Sequence, residues 1–243
     1  MEDAERDSLL KWLESSGQAL ESRVAREFLR ARLPVTESFM YEDRLSGQQR
    51  EGDLLVHHPV TTQDEPSILV VIECKHTEAK EKQWIGVRPV VEEYRPAHKP
   101  SSWLSWCGGT RQEKTAAQAV VRRKDLVPHA SPCTKVLTAR ATNNPAYNAA
   151  RQALSATHGI APRLLTSEAM DSDSGSYPVV GAALAVVVTT ASLRVCRLSR
   201  TGEMLLEEVT EFDVMCEAPS GALSPVTIMN EQAIPTFIRR LLE

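Results

Sequence analysis

The amino-acid sequence predicts an α/β protein in which a mixed central sheet is flanked by helices. Segments with helical periodicity alternate with short apolar segments along the 243 residues, which is typical of a mixed sheet covered by helices. The run Ile68–Ile72 contains five consecutive apolar residues, which indicates a strand buried on both faces. The chain offers no clear point of division, so we expect a single domain.

The first part of the chain is predicted to form helices followed by three strands. Helix is expected over residues 3–32, loosened near Ser15–Gly17, because apolar residues recur at helical spacing on one face. Strands are expected over residues 35–44, 52–58 and 68–75. Pro59 and Pro66 bracket the connection between the last two strands, which predicts a hairpin.

The rest of the chain is predicted to alternate between helices and strands, with prolines interrupting regular structure over residues 80–107. Helices are expected over residues 110–124, 145–157 and 236–242. Strands are expected over residues 134–139, 163–166, 177–189, 193–198 and 203–209. The sequence therefore predicts additional strands in its C-terminal part.

Composition and charge exclude several classes of protein. The formal net charge of -4 does not indicate a protein that coats nucleic acid, although a local basic groove is compatible with it. The five cysteines form no CxxC pair, so neither a disulfide framework nor a structural zinc site is expected. The opening residues do not resemble a secretory signal, and no apolar segment is long enough to span a bilayer. We therefore expect a cytoplasmic protein without membrane contact.

Charged residues lie at the ends of two predicted strands. If the hairpin is symmetric about Gln63, Asp53 lies opposite Glu73 and their side chains share one face of the sheet. Lys75 points to that same face, whereas Cys74 points away into the packing. Two carboxylates and one ammonium group thus converge at the end of a buried strand.

Burial of these charges needs a physical reason. An isolated charge at the end of an apolar strand is costly to bury, and two neighbouring carboxylates repel each other. A bound Mg²⁺ removes both problems, because it prefers hard oxygen ligands and is usually held by one or two carboxylates with waters and phosphate oxygens. The sequence therefore predicts Mg²⁺ as a cofactor.

The pattern Asp53, then Glu73-Cys74-Lys75 after a hydrophobic strand, resembles the core motif of the PD-(D/E)xK nucleases, which have the restriction-endonuclease-like fold. Gly52 stands where that motif has proline. The resemblance covers mainly residues 17–75 and loosely the chain up to residue 124. It implies a nuclease core over residues 17–140, a helical extension over 1–16 and a C-terminal α/β elaboration over 141–243.

The resemblance also implies a metal-dependent site. Asp53, Glu73 and the backbone carbonyl of Cys74 would hold one or two Mg²⁺ ions, for which Mn²⁺ can substitute, and Lys75 would orient the attacking water. An acidic residue on the preceding helix often completes such a site, and Glu21 is the candidate here.

Two further sets of residues follow from the same resemblance. Glu27, on the other edge of the apolar stripe that flanks Glu21, is the second choice for the helix carboxylate. The predicted helix over residues 110–124 would lie beside the hairpin and contact phosphates of the nucleic acid. Its candidate residues are Arg111, Gln112, Lys114 and Gln118.

Other polar and aromatic residues have ordinary structural interpretations. His57 and His58 are successive strand residues that face opposite ways, so they are poor candidates for one metal site. Trp103 and Trp106 could stack on bases, but core packing is the commoner role of tryptophan. The chain contains none of the sequence patterns of P-loop ATPases, dinucleotide-binding dehydrogenases or zinc proteases.

These features predict a Mg²⁺-dependent endonuclease that hydrolyses phosphodiester bonds in DNA, of the kind used in restriction or in defence against foreign DNA. The defence role rests on fold analogy alone. Two alternatives remain, a catalytically silent module that binds nucleic acid or serves assembly, and a nuclease that a protein partner or small ligand activates. RNA as a substrate and a homodimer also remain open.

Overall fold

The chain is an α/β protein with mixed sheets, as predicted. Its structure is a computed structural model that describes residues 3–58, 67–77, 83–88, 104–107, 132–139, 143–170, 180–199, 201–219, 221 and 223–242. The helices within these residues are α1 (Asp3–Ser15), α2 (Gly17–Arg30), α3 (Pro145–Met170) and α4 (Ile234–Leu242), the last preceded by a short 3₁₀ turn at Glu231–Ala233. None of the described helices has the length and hydropathy needed to cross a membrane.

Eleven strands are described. They are β1 (Val35–Glu42), β2 (Gln49–His58), β3 (Ser67–Lys75), β4 (Gln83–Val87), β5 (Leu104–Cys107), β6 (Lys135–Thr138), β7 (Val180–Thr189), β8 (Ser192–Leu198), β9 (Met204–Val209), β10 (Glu211–Glu217) and β11 (Leu223–Asn230). They form two sheets, one of seven strands and one of four.

The larger sheet has the strand order β1-β2-β3-β7-β11-β10, and β5 pairs with the first part of β7. Strands β1, β2 and β3 form an antiparallel meander, whereas β7 runs parallel to β3 and β11 runs parallel to β7. The smaller sheet has the order β6-β4-β8-β9. Strand β7 lies in the middle of the larger sheet, although it belongs to the part of the chain after residue 140. The predicted division between a nuclease core and a C-terminal elaboration at that residue stays a prediction.

Helices cover both faces of the larger sheet, and β3 is buried on both. Helices α2 and α4 pack against Ile68, Val70 and Ile72 on what we call the α2 face. Helix α3 packs against Leu69 and Val71 on the opposite face, here the α3 face. Each of these five strand residues is at most 1% exposed, which confirms the prediction of a doubly buried strand.

The start of the chain follows the sequence prediction closely. The expected break in the first helix lies at Ser16, between α1 and α2. The apolar stripe of α2, formed by Leu20, Val24 and Phe28, is the face that packs on the sheet. Strand β2 begins at Gln49, three residues before the start of the predicted strand over residues 52–58.

The predicted strand over residues 163–166 is wrong, because these residues belong to α3. The helix continues past Gly159, and glycine is needed at this position because a Cβ there would lie 2.5 Å from the carbonyl oxygen of Glu42. Gly159 thus lets the helix pass close to the end of β1 and does not end it. Strands β10 and β11 were not predicted, and β4 and β5 lie in the segment where prolines obscured the pattern. The predicted helix over residues 110–124 lies outside the described residues.

Candidate active site

The register of the central hairpin places the two predicted carboxylates side by side. Leu54 pairs with Ile72 and Val56 pairs with Val70. Continued by one residue, this register sets Asp53 opposite Glu73, which is the alignment that symmetry about Gln63 predicts. The backbone N–H of Cys74 donates to Oδ2 of Asp53 at 2.7 Å, so β3 itself holds the Asp53 carboxylate.

Burial raises the pKa of Asp53, the carboxylate nearer the start of the meander. The hydrogen bond from Cys74 and the positive charge of Lys75 oppose that effect, and the charge of Glu51 adds to it. The Asp53 side chain therefore lies in a region where negative charge is poorly solvated and only partly compensated by neighbouring groups.

Glu73 is the most perturbed acid of the site. It is 7% exposed although it follows a fully apolar run. Burial and the charge of Asp53 raise its pKa to about 7, against the attraction of Lys75. The Lys75 ammonium lies 3.5 Å from Oε1 of Glu73, and the lysine side chain is 36% exposed. This geometry gives a buried carboxylate beside a cation that reaches solvent.

Strand β1 changes the face that it presents at Ser38. Ser38 has a φ of 53°, in the left-handed region that residues other than glycine rarely adopt. Val35, before it, packs with the core of the α2 face, whereas Phe39, after it, packs against α3. In a regular strand these two residues, four apart, would share a face.

Strand β2 shows the same reversal at Asp53. Leu54 belongs to the core of the α2 face. A Cβ at Gly52, two residues away, would instead collide with the Phe39 ring, which lies on the α3 face. Asp53 thus lies where β1 and β2 both change the face of the sheet to which their apolar side chains point. The predicted simple alternation of side chains does not continue through Asp53, although the predicted register does.

Glu21 approaches the site from α2. It is half-buried beside the apolar stripe of that helix, and burial followed by the charge of Asp53 raises its pKa. Glu73 points to the α3 face, because Ile72 and Cys74 on either side of it lie in the core of the α2 face. Asp53 therefore interacts electrostatically with a carboxylate on each side of the sheet.

The other predicted residues fall in three groups. Cys74 is 5% exposed and packs in the core of the α2 face, as the alternation predicts. Glu27 forms an ion pair with Arg30 at 2.7 Å, so its carboxylate is already engaged along its own helix. The predicted phosphate contacts Arg111, Gln112, Lys114 and Gln118 lie outside the described residues.

Tyr41 is a neighbour of the site that the sequence analysis did not identify. It packs with Phe39 and Val71 on the α3 face and is 4% exposed. Burial, and next the charge of Glu73, raise its pKa. Tyr41 reaches this position because β1 changes face at Ser38, and no local pattern in the sequence indicates that change.

The donor chemistry of the pair fits a hard divalent cation. Within the described part of the chain, no three His, Cys, Asp or Glu side chains form a group that could hold a metal ion. Mg²⁺ does not require such a group, since one or two carboxylates, waters and a substrate phosphate commonly complete its shell. Asp53 and Glu73 supply two carboxylates whose mutual repulsion a cation would relieve.

Comparisons of this chain with protein-family models, with curated proteins and with solved structures gave no match.

Proposed function

We propose that the protein is a metal-dependent endonuclease that hydrolyses phosphodiester bonds in DNA. The observation that carries the proposal is the juxtaposition of Asp53 and a nearly buried Glu73 with Lys75 at the end of an apolar strand. A structural ion pair would not account for the second carboxylate, which raises the pKa of Glu73 instead of stabilising its charge.

A restriction-endonuclease-like core is part of the proposal. It is supported by the helix α2 that precedes the meander β1–β3, and by a mixed sheet with helices on both faces. The roles in restriction or defence and in the cytoplasm are also proposals, and they rest on the fold analogy alone.

The chain's own groups would divide the work as follows. Asp53 and Glu73, with the Cys74 carbonyl, would hold the cation. Glu21 reaches Asp53 from the other side of the sheet and is not grouped with both carboxylates, so its role as a ligand stays a prediction. When bound, Mg²⁺ lowers the pKa of a coordinated water and stabilises the negative charge that develops on the scissile phosphate. The Cys74 N–H fixes one oxygen of Asp53 and so sets the orientation of that carboxylate. Lys75, which reaches solvent beside Glu73, would orient the attacking water.

Cleavage of supercoiled plasmid DNA tests the proposal. The purified protein would be incubated with Mg²⁺, Mn²⁺ or EDTA beside Asp53→Asn, Glu73→Gln and Lys75→Ala. Asp213→Asn is the matched control, because burial also raises the pKa of Asp213, on β10 at the opposite edge of the sheet. We expect metal-dependent cutting by the wild type and the control, and a loss of at least about 100-fold in the three site variants.

Two outcomes would contradict this proposal. Cutting that survives all three substitutions would place the activity in a contaminant or at another site. No cutting with any metal, together with no metal binding by calorimetry, would leave a catalytically silent module. If the wild type binds metal but does not cut, and Glu73→Gln does not bind metal, the result would favour the alternative of a nuclease that a partner or ligand activates. Parallel reactions on single-stranded DNA and RNA identify the substrate.

A further inference from the structure

A cavity of about 340 Å³ opens between the hairpin β1–β2, helix α3 and the end of β10. Its volume is in the range of small-ligand sites, and it is open to solvent. Polar side chains dominate the wall formed by the hairpin and α3. They are Tyr41, Asp43, Arg50, Asn148, Arg151, Gln152 and Ser155.

Helix α3 contributes one continuous polar face to this cavity. Asn148, Arg151, Gln152 and Ser155 follow the spacing i, i+3, i+4, i+7, which places them on one side of a helix. Arg151 is exposed, and no carboxylate among the described residues forms an ion pair with it. The face thus offers two amides and one guanidinium group that has no ion pair within the described part of the chain.

The carboxylate on the hairpin side of the cavity, Asp43, is already paired with a cation and hydrogen-bonded. Asp43 receives hydrogen bonds from Ser155 Oγ at 3.0 Å and from the backbone N–H of Leu45 at 3.1 Å. Arg50 Nε lies 3.0 Å from its other oxygen. The Ser155 contact fixes the hairpin to α3, and Arg50 balances the negative charge that would otherwise repel an anion from Arg151.

The cavity adjoins the candidate active site. Tyr41 lines the cavity and packs with Val71 on the α3 face. Glu73 is two residues after Val71 on β3 and points to the same face. Tyr41, which also feels the charge of Glu73, therefore joins the cavity to the face of the sheet on which Glu73 lies.

We propose that this cavity binds the nucleotide next to the scissile phosphate, with Arg151 on its phosphate and the amides of Asn148 and Gln152 on its base edge. A planar guanidinium group matches phosphate oxygens, and carboxamides match the donor–acceptor pair of a base edge. One guanidinium group that forms no ion pair within the described residues, in a cavity that Glu217 also lines, suits one phosphodiester charge better than a polyphosphate. This inference rests on the proposed function, since it extends that substrate by one nucleotide.

Binding, measured apart from cleavage, tests this inference. Fluorescence anisotropy in EDTA would follow a short fluorescein-labelled DNA single strand and the matching duplex, with wild type, Arg151→Gln and Asn148→Ala/Gln152→Ala. Arg26→Gln is the matched control, because Arg26 is an exposed arginine on α2, across the sheet. Loss of one charge-assisted contact should weaken binding by Arg151→Gln about 10- to 100-fold. The slope of the logarithm of affinity against the logarithm of salt concentration should fall by about one, as expected for one lost phosphate contact.

The double variant should lose base preference among single strands that differ in one base type, with a smaller loss of overall affinity. Equal binding by Arg151→Gln and Arg26→Gln would overturn the inference, and so would no binding by the wild type. The two proposals fail separately. Selective weakening in Arg151→Gln, with neither cleavage nor metal binding by the wild type, would support a nucleotide site and refute the nuclease. Cleavage with no selective effect of Arg151→Gln would do the reverse.

Discussion

Replacement of Glu73 by glutamine should stabilise the protein at alkaline pH and not at acidic pH. Burial and the charge of Asp53 raise the pKa of Glu73 from its ordinary 4.5 to about 7. Between these values the folded protein keeps a proton that the unfolded chain has released. The free energy of unfolding therefore falls as pH rises through this window, and the loss is complete above about pH 7.

The size of the effect follows from the same pKa values. At about 1.4 kcal/mol per pKa unit, ionisation of Glu73 destabilises the folded state by about 3 kcal/mol. Glutamine has nearly the same shape and carries no charge. Glu73→Gln should therefore raise the free energy of unfolding by up to about 3 kcal/mol at pH 8, which is about 6–12 °C in Tm for a chain of this length. At pH 4 the gain should vanish.

Urea denaturation in EDTA at a series of pH values measures this difference. Asp213 contributes with the same sign, because burial raises its pKa to about 6, so Asp213→Asn separates the two groups. Added Mg²⁺ at pH 7 should raise the Tm of the wild type and leave that of Glu73→Gln almost unchanged, since a ligand stabilises only a state that binds it. A Glu73→Gln variant that is equally or less stable than the wild type at pH 8 would refute the reasoning.

Three further predictions concern the packing. Leu20→Ala, at a fully buried position of α2, should lower the free energy of unfolding by about 2–5 kcal/mol in urea denaturation, whereas Leu9→Ala on exposed α1 should change it by less than about 1 kcal/mol. Gly86→Val should destabilise by about 1–3 kcal/mol in the same assay, because a Cβ there would lie 2.6 Å from the Sγ of Cys133; Cys133→Ala in the same chain should recover part of this loss. Burial raises the pKa of the Cys133 thiol to about 12 and that of Cys216 to about 11, so both should react with a thiol reagent at pH 8 only after unfolding; fast labelling of either in the folded protein would contradict this.

The elements that could be predicted from the sequence are those whose signal is local. The stripe of α2 and the apolar run of β3 each lie within one segment, and the fold uses both as their periodicity indicates. The hairpin register could be predicted because two prolines fix the length of the connection. Asp53 and Glu73 therefore came together in the prediction without knowledge of the rest of the sheet.

The features that could not be predicted depend on distant parts of the chain. No residue of β3 indicates that β7, more than a hundred positions later, is its parallel neighbour. Gly159 looks like a helix end in the sequence, and only the nearby carbonyl of Glu42 explains why glycine stands inside α3. Strand β10 carries Asp213 among its apolar residues, and its hydrogen bond from Thr227 of β11 at 2.6 Å is visible only when the two strands are paired.

Two departures from ordinary strand chemistry meet at one place, and this coincidence is the strongest structural argument for a site there. The left-handed conformation of Ser38 costs about 1–2 kcal/mol, and the ionised Glu73 costs about 3 kcal/mol at neutral pH. The cost at Glu73 has no return in packing, since an apolar side chain at that position would continue the buried strand, whereas the reversal at Ser38 also lets Phe39 and Tyr41 pack against α3. Both are explained if the fold must present Asp53 and Glu73 together, because a cation between them would turn their repulsion into attraction. On the proposed function, the folded state is therefore most stable when the site is occupied.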